Sequence, residues 1–425
     1  MILLLSLAFA LLVGFFVFFV FRPDPPLLLG VYSQPGKYFW LKFYMVKLAL
    51  ERRRRISKSK TSRKADYNDQ QWGGDGRREA HKLESKQVLP PGRSHAGDCV
   101  FFNGSNSDGF YLTLGTAQRP SDIINLFFIV RIPDFGTFVS KSLHYNTNVK
   151  SMKSDSHYQT ECGFDVFCIE PMRRWRLKFD GIFVPNRENA IDTNSIGGQE
   201  VPKEVNGQIR ASFDFEWTNF GDYFDFDLEC SSEAIARSLA REPWNREIFD
   251  KLKQSHQMHY EQLGFLEGTM TFGDRIFDNI RLTSMRDHTI TPYRSWSDIR
   301  RYIMINYHLD DGTCIHTSII SMPETVFSHL EFGYVITPEK KKFAVDKIDL
   351  CLADIGEDKQ FPGKFAYSFT AGGRHFACKV NIVETATFRM GLEQTAFVNE
   401  NMCEFEANGL KGYGFVECGY RIQPY

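Results

Sequence analysis

The stretch Trp175-Arg-Leu-Lys-Phe-Asp-Gly181, continued by Ile-Phe-Val184, alternates apolar and polar residues with a period of two. Successive side chains of a strand point to opposite faces, so this segment presents one apolar and one charged face, as an antiparallel strand lying against a core does. The same signature appears at Cys99 to Phe102, Gly109 to Leu114, Asn125 to Ile132 and Ser212 to Trp217, with Gly, Asn, Asp and Pro between the runs. It returns later at Phe265 to Phe272, Arg301 to His308, Cys314 to Ser321, Phe332 to Thr337, Phe343 to Leu350, Lys364 to Thr370, His375 to Glu384 and Phe415 to Tyr420.

Between the two series, Ser232 to Leu263 has helical spacing in Ala234, Ile235, Ser238 and Leu239, and again after Pro243 in Ile248, Phe249 and Leu252. The expected fold is mainly β. Two packed antiparallel barrels or sandwiches, 98–264 and 265–425, are joined by a short helical connector. Ala371-Gly372-Gly373 fits a hairpin turn.

Upstream, Ile2 to Phe21 is a run of twenty largely apolar residues, broken only by Ser6 and Gly14. At about 1.5 Å per residue it matches the roughly 30 Å hydrocarbon core of a bilayer, and no basic residue precedes it as in a secretory leader. A single transmembrane helix over 1–22 is expected. Arg22, Lys37, Lys42, Lys47 and Arg52 to Arg55 follow the run, so the body should lie on the cytosolic side of a membrane that the sequence does not name. Tyr38 to Leu50 mixes aromatics with lysines and fits either an interfacial amphipathic helix or a helical linker with a solvated charge run. Residues 23–97 read as a basic juxtamembrane segment and a mobile linker from Ser57 to Gly97.

The net charge of −1 gives no support to a nucleic-acid partner. Nine scattered cysteines form no zinc pattern, and a reducing compartment argues against a disulfide scaffold. Neither a metal nor a cofactor is expected. Asn103-Gly104-Ser105 is a glycosylation acceptor that would be used only in the opposite topology. His256-x-x-His259 reads as a solvated helix face, and Cys314-Ile315-His316 as a weak nucleophile candidate on one strand face.

The richest polar cluster is Arg286-Asp287-His288-Thr-Ile-Thr-Pro-Tyr293-Arg294-Ser-Trp296. Asp287 and His288 cannot point the same way on a strand, though at a bend either could orient the other's surroundings for proton transfer. The structural alternative is that Asp287 caps a turn, Arg294 pairs with it and Trp296 packs in a core.

Tyr260-Glu-Gln-Leu-Gly-Phe-Leu-Glu-Gly268, Arg286-Asp287-His288, Arg294-Ser295-Trp296 and Asp311-Gly312 together resemble the second domain of the AttH and hydroxyneurosporene-synthase (carotenoid hydratase) group. Gly412-Tyr-Gly414-Phe-Val-Glu417 is similar to that group's closing strand. The resemblance covers Val100 to Tyr425 and implies paired lipocalin-like barrels, with Asp287 and His288 as catalytic acids and Arg286, Tyr293, Arg294, Trp296 and Glu417 binding ligand. Thr289, Ile290 and Thr291 replace the group's Ser-Trp-Gly, and Ser295 replaces an Asp. The chain also resembles animal proteins of phosphoenolpyruvate-synthase or rifampicin-phosphotransferase type, without their phosphate loop or phosphohistidine segment. Three functions follow as expectations: a membrane-anchored binder of an apolar small molecule such as a lipid or isoprenoid; a hydratase or isomerase on an unsaturated apolar substrate; or a non-catalytic partner of a phosphotransferase-like paralogue.

Overall fold

The computed structural model describes residues 14, 20–59, 80–89, 92–141, 147–152, 157–186, 207–254, 257–391 and 394–422. The expected anchor lies almost wholly outside the described residues, and among those described no helix is long and apolar enough to cross a membrane. Helix α1 (Phe39–Ser59) and the one-turn helix α2 (Ala80–Glu84) come before the first strand.

Next come β1 (Gly97–Ser105), β2 (Tyr111–Arg119), β3 (Ile123–Ile132), β4 (Gly136–Ser140), β5 (Asn148–Lys150), β6 (Tyr158–Gln159), β7 (Phe164–Glu170), β8 (Arg174–Pro185), β9 (Ile209–Asn219) and β10 (Phe224–Asp225). Three helices, α3 (Phe226–Glu229), α4 (Ser232–Arg241) and α5 (Arg246–Gln254), lead into the long strands β11 (Met258–Phe272) and β12 (Arg275–Thr291). Antiparallel pairing runs β11–β12–β1–β2–β3–β4–β8–β9, and β9 pairs back onto β11, so the ring closes. Closure depends on a close approach. A Cβ on Gly264 would meet the Thr218 carbonyl oxygen at 2.3 Å, and one on Gly268 the Asp214 carbonyl oxygen at 2.1 Å. The interior is aromatic, with Phe102, Phe128, Trp175, Phe213 and Trp217 buried together.

A second barrel follows: β13 (Arg301–Leu309), β14 (Cys314–Ser321), β15 (Leu330–Ile336), β16 (Lys342–Asp349), β17 (Lys364–Ala371), β18 (Arg374–Met390), β19 (Ala396–Ala407) and β20 (Leu410–Arg421), closed by β13 on β20. Its interior is also filled, with Tyr307 stacked on Phe405 at 4.1 Å and Phe369 on Phe376 at 4.7 Å. The barrels meet through Phe127 stacked on Phe388 (4.5 Å) and Tyr111 edge-on to Phe415. Gly372 and Gly373 turn the β17–β18 hairpin at φ +56° and +74°.

Several expectations change. The boundary between 264 and 265 falls inside β11, and the first barrel continues to Thr291, because β11 and β12 pair with β9 and β1. The cluster beginning at Arg286 is no bend: it is the end of the strand β12, which stops before Pro292, a residue without a backbone donor. The linker read from Ser57 to Gly97 contains α2, whose Leu83 and Glu84 are buried. The Asn103 acceptor is buried on β1 beside Ser105, so in the folded chain it is closed to glycosylation in either topology. The described cysteines are all free thiols.

Candidate functional site

Strand alternation divides the Arg286 cluster between two chambers. Arg286 and His288 point into the first barrel, where they are fully buried. There Glu84, delivered by α2, accepts from Arg286 Nη1 (2.9 Å), Trp175 Nε1 (2.7 Å), the backbone N–H of Met172 (3.2 Å) and the Tyr260 hydroxyl. His288 donates from Nδ1 to the Tyr260 oxygen (2.8 Å) and from Nε2 to Asp98 (2.7 Å). Burial opposes a charge on His288, but the bonds to Asp98 and Glu84 outweigh it and raise its pKa to about 9. Burial acts against Glu84 as well, yet Arg286 and His288 hold its carboxyl well below the usual range. The charged groups of this chamber thus pair with one another.

Asp287 points the other way, into a cavity of about 960 Å³ between the barrels. Apolar side chains from both barrels and the helices form most of its wall, among them Phe101, Phe127, Phe226, Ile235, Met304 and Ile320. Tyr293, Arg294, Trp296 and Glu417 line it too. The structure thus brings together five of the seven residues expected in the site, and turns Arg286 and His288 away from them.

Around Asp287 lies a polar group that the sequence did not disclose. His259, expected on a helix, sits on β11, where it meets Thr289 Oγ1 through Nδ1 (2.7 Å) and Glu261 Oε1 through Nε2 (3.2 Å). Across the barrel junction, His316 Nδ1 donates to Glu261 Oε2 (2.5 Å) while its Nε2 meets Ser318 (2.7 Å). Burial favours a neutral Glu261, but the two histidines overcome this and hold its pKa at about 2. His259 is raised above its ordinary value, the bond to Glu261 outweighing burial. Asp287 shifts oppositely to Glu261: burial, reinforced by the Glu261 charge directly opposite across the strands, lifts it to about 6 against the pull of His259 and Arg294. His256 lies outside the described residues.

On the second barrel, Glu417 accepts from the Tyr302 hydroxyl and pairs in register with the fully buried Glu400. Burial raises both carboxyls, with the Glu417 charge adding to it at Glu400 and the Asp287 charge adding to it at Glu417 against the Tyr302 bond and Arg294. The Arg294 guanidinium lies 5.2 Å over the Trp296 ring and acts electrostatically on both Asp287 and Glu417. His259, Glu261 and Asp287 place one ligand atom each within 4.8 Å of one another. A cation there would compete with the hydrogen bonds that His259 and Glu261 already make. The arrangement can support proton transfer: an acid raised to about 6 in a mostly apolar chamber, with a cation and a second carboxyl raised by burial nearby.

A family model described as "Family of unknown function (DUF8627)" matches residues 7–420. No curated protein matches the chain. Among solved structures, the chain is similar to a candidate AttH protein from Nitrosomonas europaea, with a TM-score of 0.46 and 11% identity over 78% of this chain and 96% of that one. It is similar to kievitone hydratase from Nectria haematococca, with a TM-score of 0.42 and 9% identity over 85% and 97%. A third similar structure is CghA, with a TM-score of 0.42 and 9% identity over 80% and 95%.

Proposed function

The chain belongs to DUF8627, a family of unknown function, and for it we propose an acid–base role: binding a largely apolar small molecule between the barrels and adding or removing water across a carbon–carbon double bond. The observation that carries this reading is Asp287, a carboxyl raised to about 6 on the wall of a mostly apolar cavity.

In the hydration direction, protonated Asp287 gives its proton to one alkene carbon. The π electrons form the new C–H bond, leaving positive charge on the other carbon. Water adds there and loses a proton to the Asp287 carboxylate, which restores the acid. The Trp296 and Phe101 rings on the cavity wall suit a cationic intermediate. Arg294, with Glu417, would hold a polar end of the substrate, and the His259–Glu261–His316 chain would set the charge around Asp287.

The test begins with denaturing mass spectrometry of small molecules extracted from the purified full chain. A reproducible apolar compound, or its hydrate, is then supplied to wild type and Asp287→Asn. Interconversion that falls at least about 100-fold in the variant supports the acid role. Binding with no turnover in either protein leaves a carrier. No bound compound, and no thermal shift from a panel of apolar alkenes and alcohols, overturns the reading.

A further inference from the structure

Helix α1 has two apolar faces. Phe39, Phe43, Val46 and Leu50 turn inward, and Phe39 and Phe43 pack against Ala236 and Ala240 of α4. On the opposite side Trp40, Leu41, Tyr44, Met45 and Leu48 are 54–65% exposed. At about 100° per residue these five cover an arc of roughly 140°. Only one carboxylate, Glu51, lies between Phe39 and Ser59, and Ser232 bonds to it. Of the basic residues, Lys42 and Lys47 turn to the protein, bonding to the Glu242 carbonyl and to Glu233, while Arg52 and Arg55 are exposed and continue the arc of the apolar stripe. Aromatic and aliphatic side chains on one face, with basic residues beside and beyond them, suit the headgroup layer of an anionic bilayer: the rings enter the acyl boundary and the cations stay among phosphates.

A second observation sets where that layer lies. Lys37 Nζ donates to the carbonyls of Val20 (2.5 Å) and Arg22 (3.0 Å). Val20 to Arg22 is the point at which the twenty-residue apolar run ends. The exit of a bilayer-length segment is thus bonded to the residue two positions before α1. A chain leaving a membrane at Phe21 has the exposed stripe beginning at the same surface.

We infer that α1 lies in the headgroup layer of an anionic membrane, with its Trp40–Leu48 face immersed. Lipid, rather than another protein, is the occupant favoured by the basic excess and by the bond between Lys37 and the end of the apolar run. The consequence reaches the cavity. Arg54 bonds to the Cys230 carbonyl, and Cys230 and Ile235, beneath α1, are cavity wall. The helical side of the chamber is then carried on the bilayer, a reservoir of apolar molecules.

The full chain is reconstituted in phosphatidylcholine–phosphatidylserine vesicles whose acyl chains carry bromine near the headgroup. Bromolipid should quench tryptophan fluorescence, and Trp40→Phe should lose the larger part of that quenching. Tyr44→Asp with Leu48→Asp, Trp40 retained, should shift Trp40 emission to the red and lower its quenching at an unchanged near-ultraviolet circular dichroism spectrum. Equal quenching of wild type and Trp40→Phe overturns the inference. So does a Trp40 shielded from both bromolipid and aqueous acrylamide, which would place a second protein surface on the stripe. No ligand enters the experiment, so its outcome is independent of the reading given for Asp287.

Discussion

Asp287 and His288 are consecutive on β12 and belong to different chambers: His288 donates to Asp98 inside the first barrel at 2.7 Å, while Asp287 faces the cavity between the barrels. One peptide bond separates a histidine held charged by two carboxylates from a carboxyl that burial keeps partly protonated. The pleat makes this unavoidable, since neighbouring side chains of a strand emerge on opposite faces. Substitutions at the two positions should therefore have unlike effects.

Asp287→Asn should remove turnover and at the same time stabilise the protein above pH 6. A carboxyl raised from 3.8 to about 6 by folding favours the folded state least once the pH exceeds its folded pKa. Asparagine escapes that cost, so urea denaturation should show the variant more stable by about 1 to 3 kcal/mol at pH 8 and equal to wild type near pH 3.5. Wild-type hydration should itself decline as pH rises through about 6. Equal stabilities at both pH values would place Asp287 in a solvated setting.

His288 supplies a stability term of the other kind. Its pKa rises from 6.5 to about 9 on folding, so its contribution is fully present below about 6.5 and is lost as pH climbs through about 9. A urea midpoint that falls between pH 6.5 and 9 checks this, with Glu84→Gln flattening the slope. Glu84→Ala, which strips Arg286 of its carboxylate, should cost about 3 to 5 kcal/mol.

The bond from His316 to Glu261 ties the second barrel to the first. Glu261 is lowered from 4.5 to about 2, so this contribution is present above pH 4.5 and disappears as pH falls through about 2. Glu261→Gln should destabilise by about 3 kcal/mol at pH 7 by leaving a buried partner uncompensated. Differential scanning calorimetry of that variant should separate the two barrels into distinct transitions. A single unshifted transition would mean that the apolar junction around Phe127 and Phe388 is sufficient.

Ile320→Trp should close part of the cavity without disturbing either interior, because Ile320 projects from β14 into the space between the barrels. Affinity for the extracted compound should drop at least about tenfold, or by about 1.4 kcal/mol, at an unchanged urea midpoint. Unchanged affinity, read by isothermal calorimetry, would locate the ligand elsewhere.

Strand periodicity made most of the β architecture readable, and it failed where polar residues sit on both faces. On β12, Arg286 and His288 point inward and Asp287 and Thr289 outward, so no apolar alternation marks the strand and the segment resembles a bend. His259 was hidden by an opposite effect, an apparent helical spacing from His256 that continued the real helix α5 past its end at Gln254. Glu84 could not be anticipated, because its partners Tyr260 and Arg286 lie far along the chain and only the closed barrel brings them to it. The cavity carboxyls, by contrast, were accessible through motif resemblance at Asp287 and Glu417, although their chemistry depends on burial, which a motif does not record.

The closure of the first barrel bears on how the chain folds. β1 pairs in register with β12, Gly97 opposite Thr291, and β9 is clasped between β8 and β11. The seam joins segments nearly two hundred positions apart, so during synthesis the strands from β1 to β9 can pair among themselves, but the outer edges of β1 and β9 have no partner until β11 and β12 have left the ribosome. The second barrel is sealed within one contiguous stretch from Arg301 to Arg421. Its closing contacts span a shorter length of chain, which makes the N-terminal barrel, though translated first, the slower of the two to complete and the one whose open edges most need a chaperone's cover.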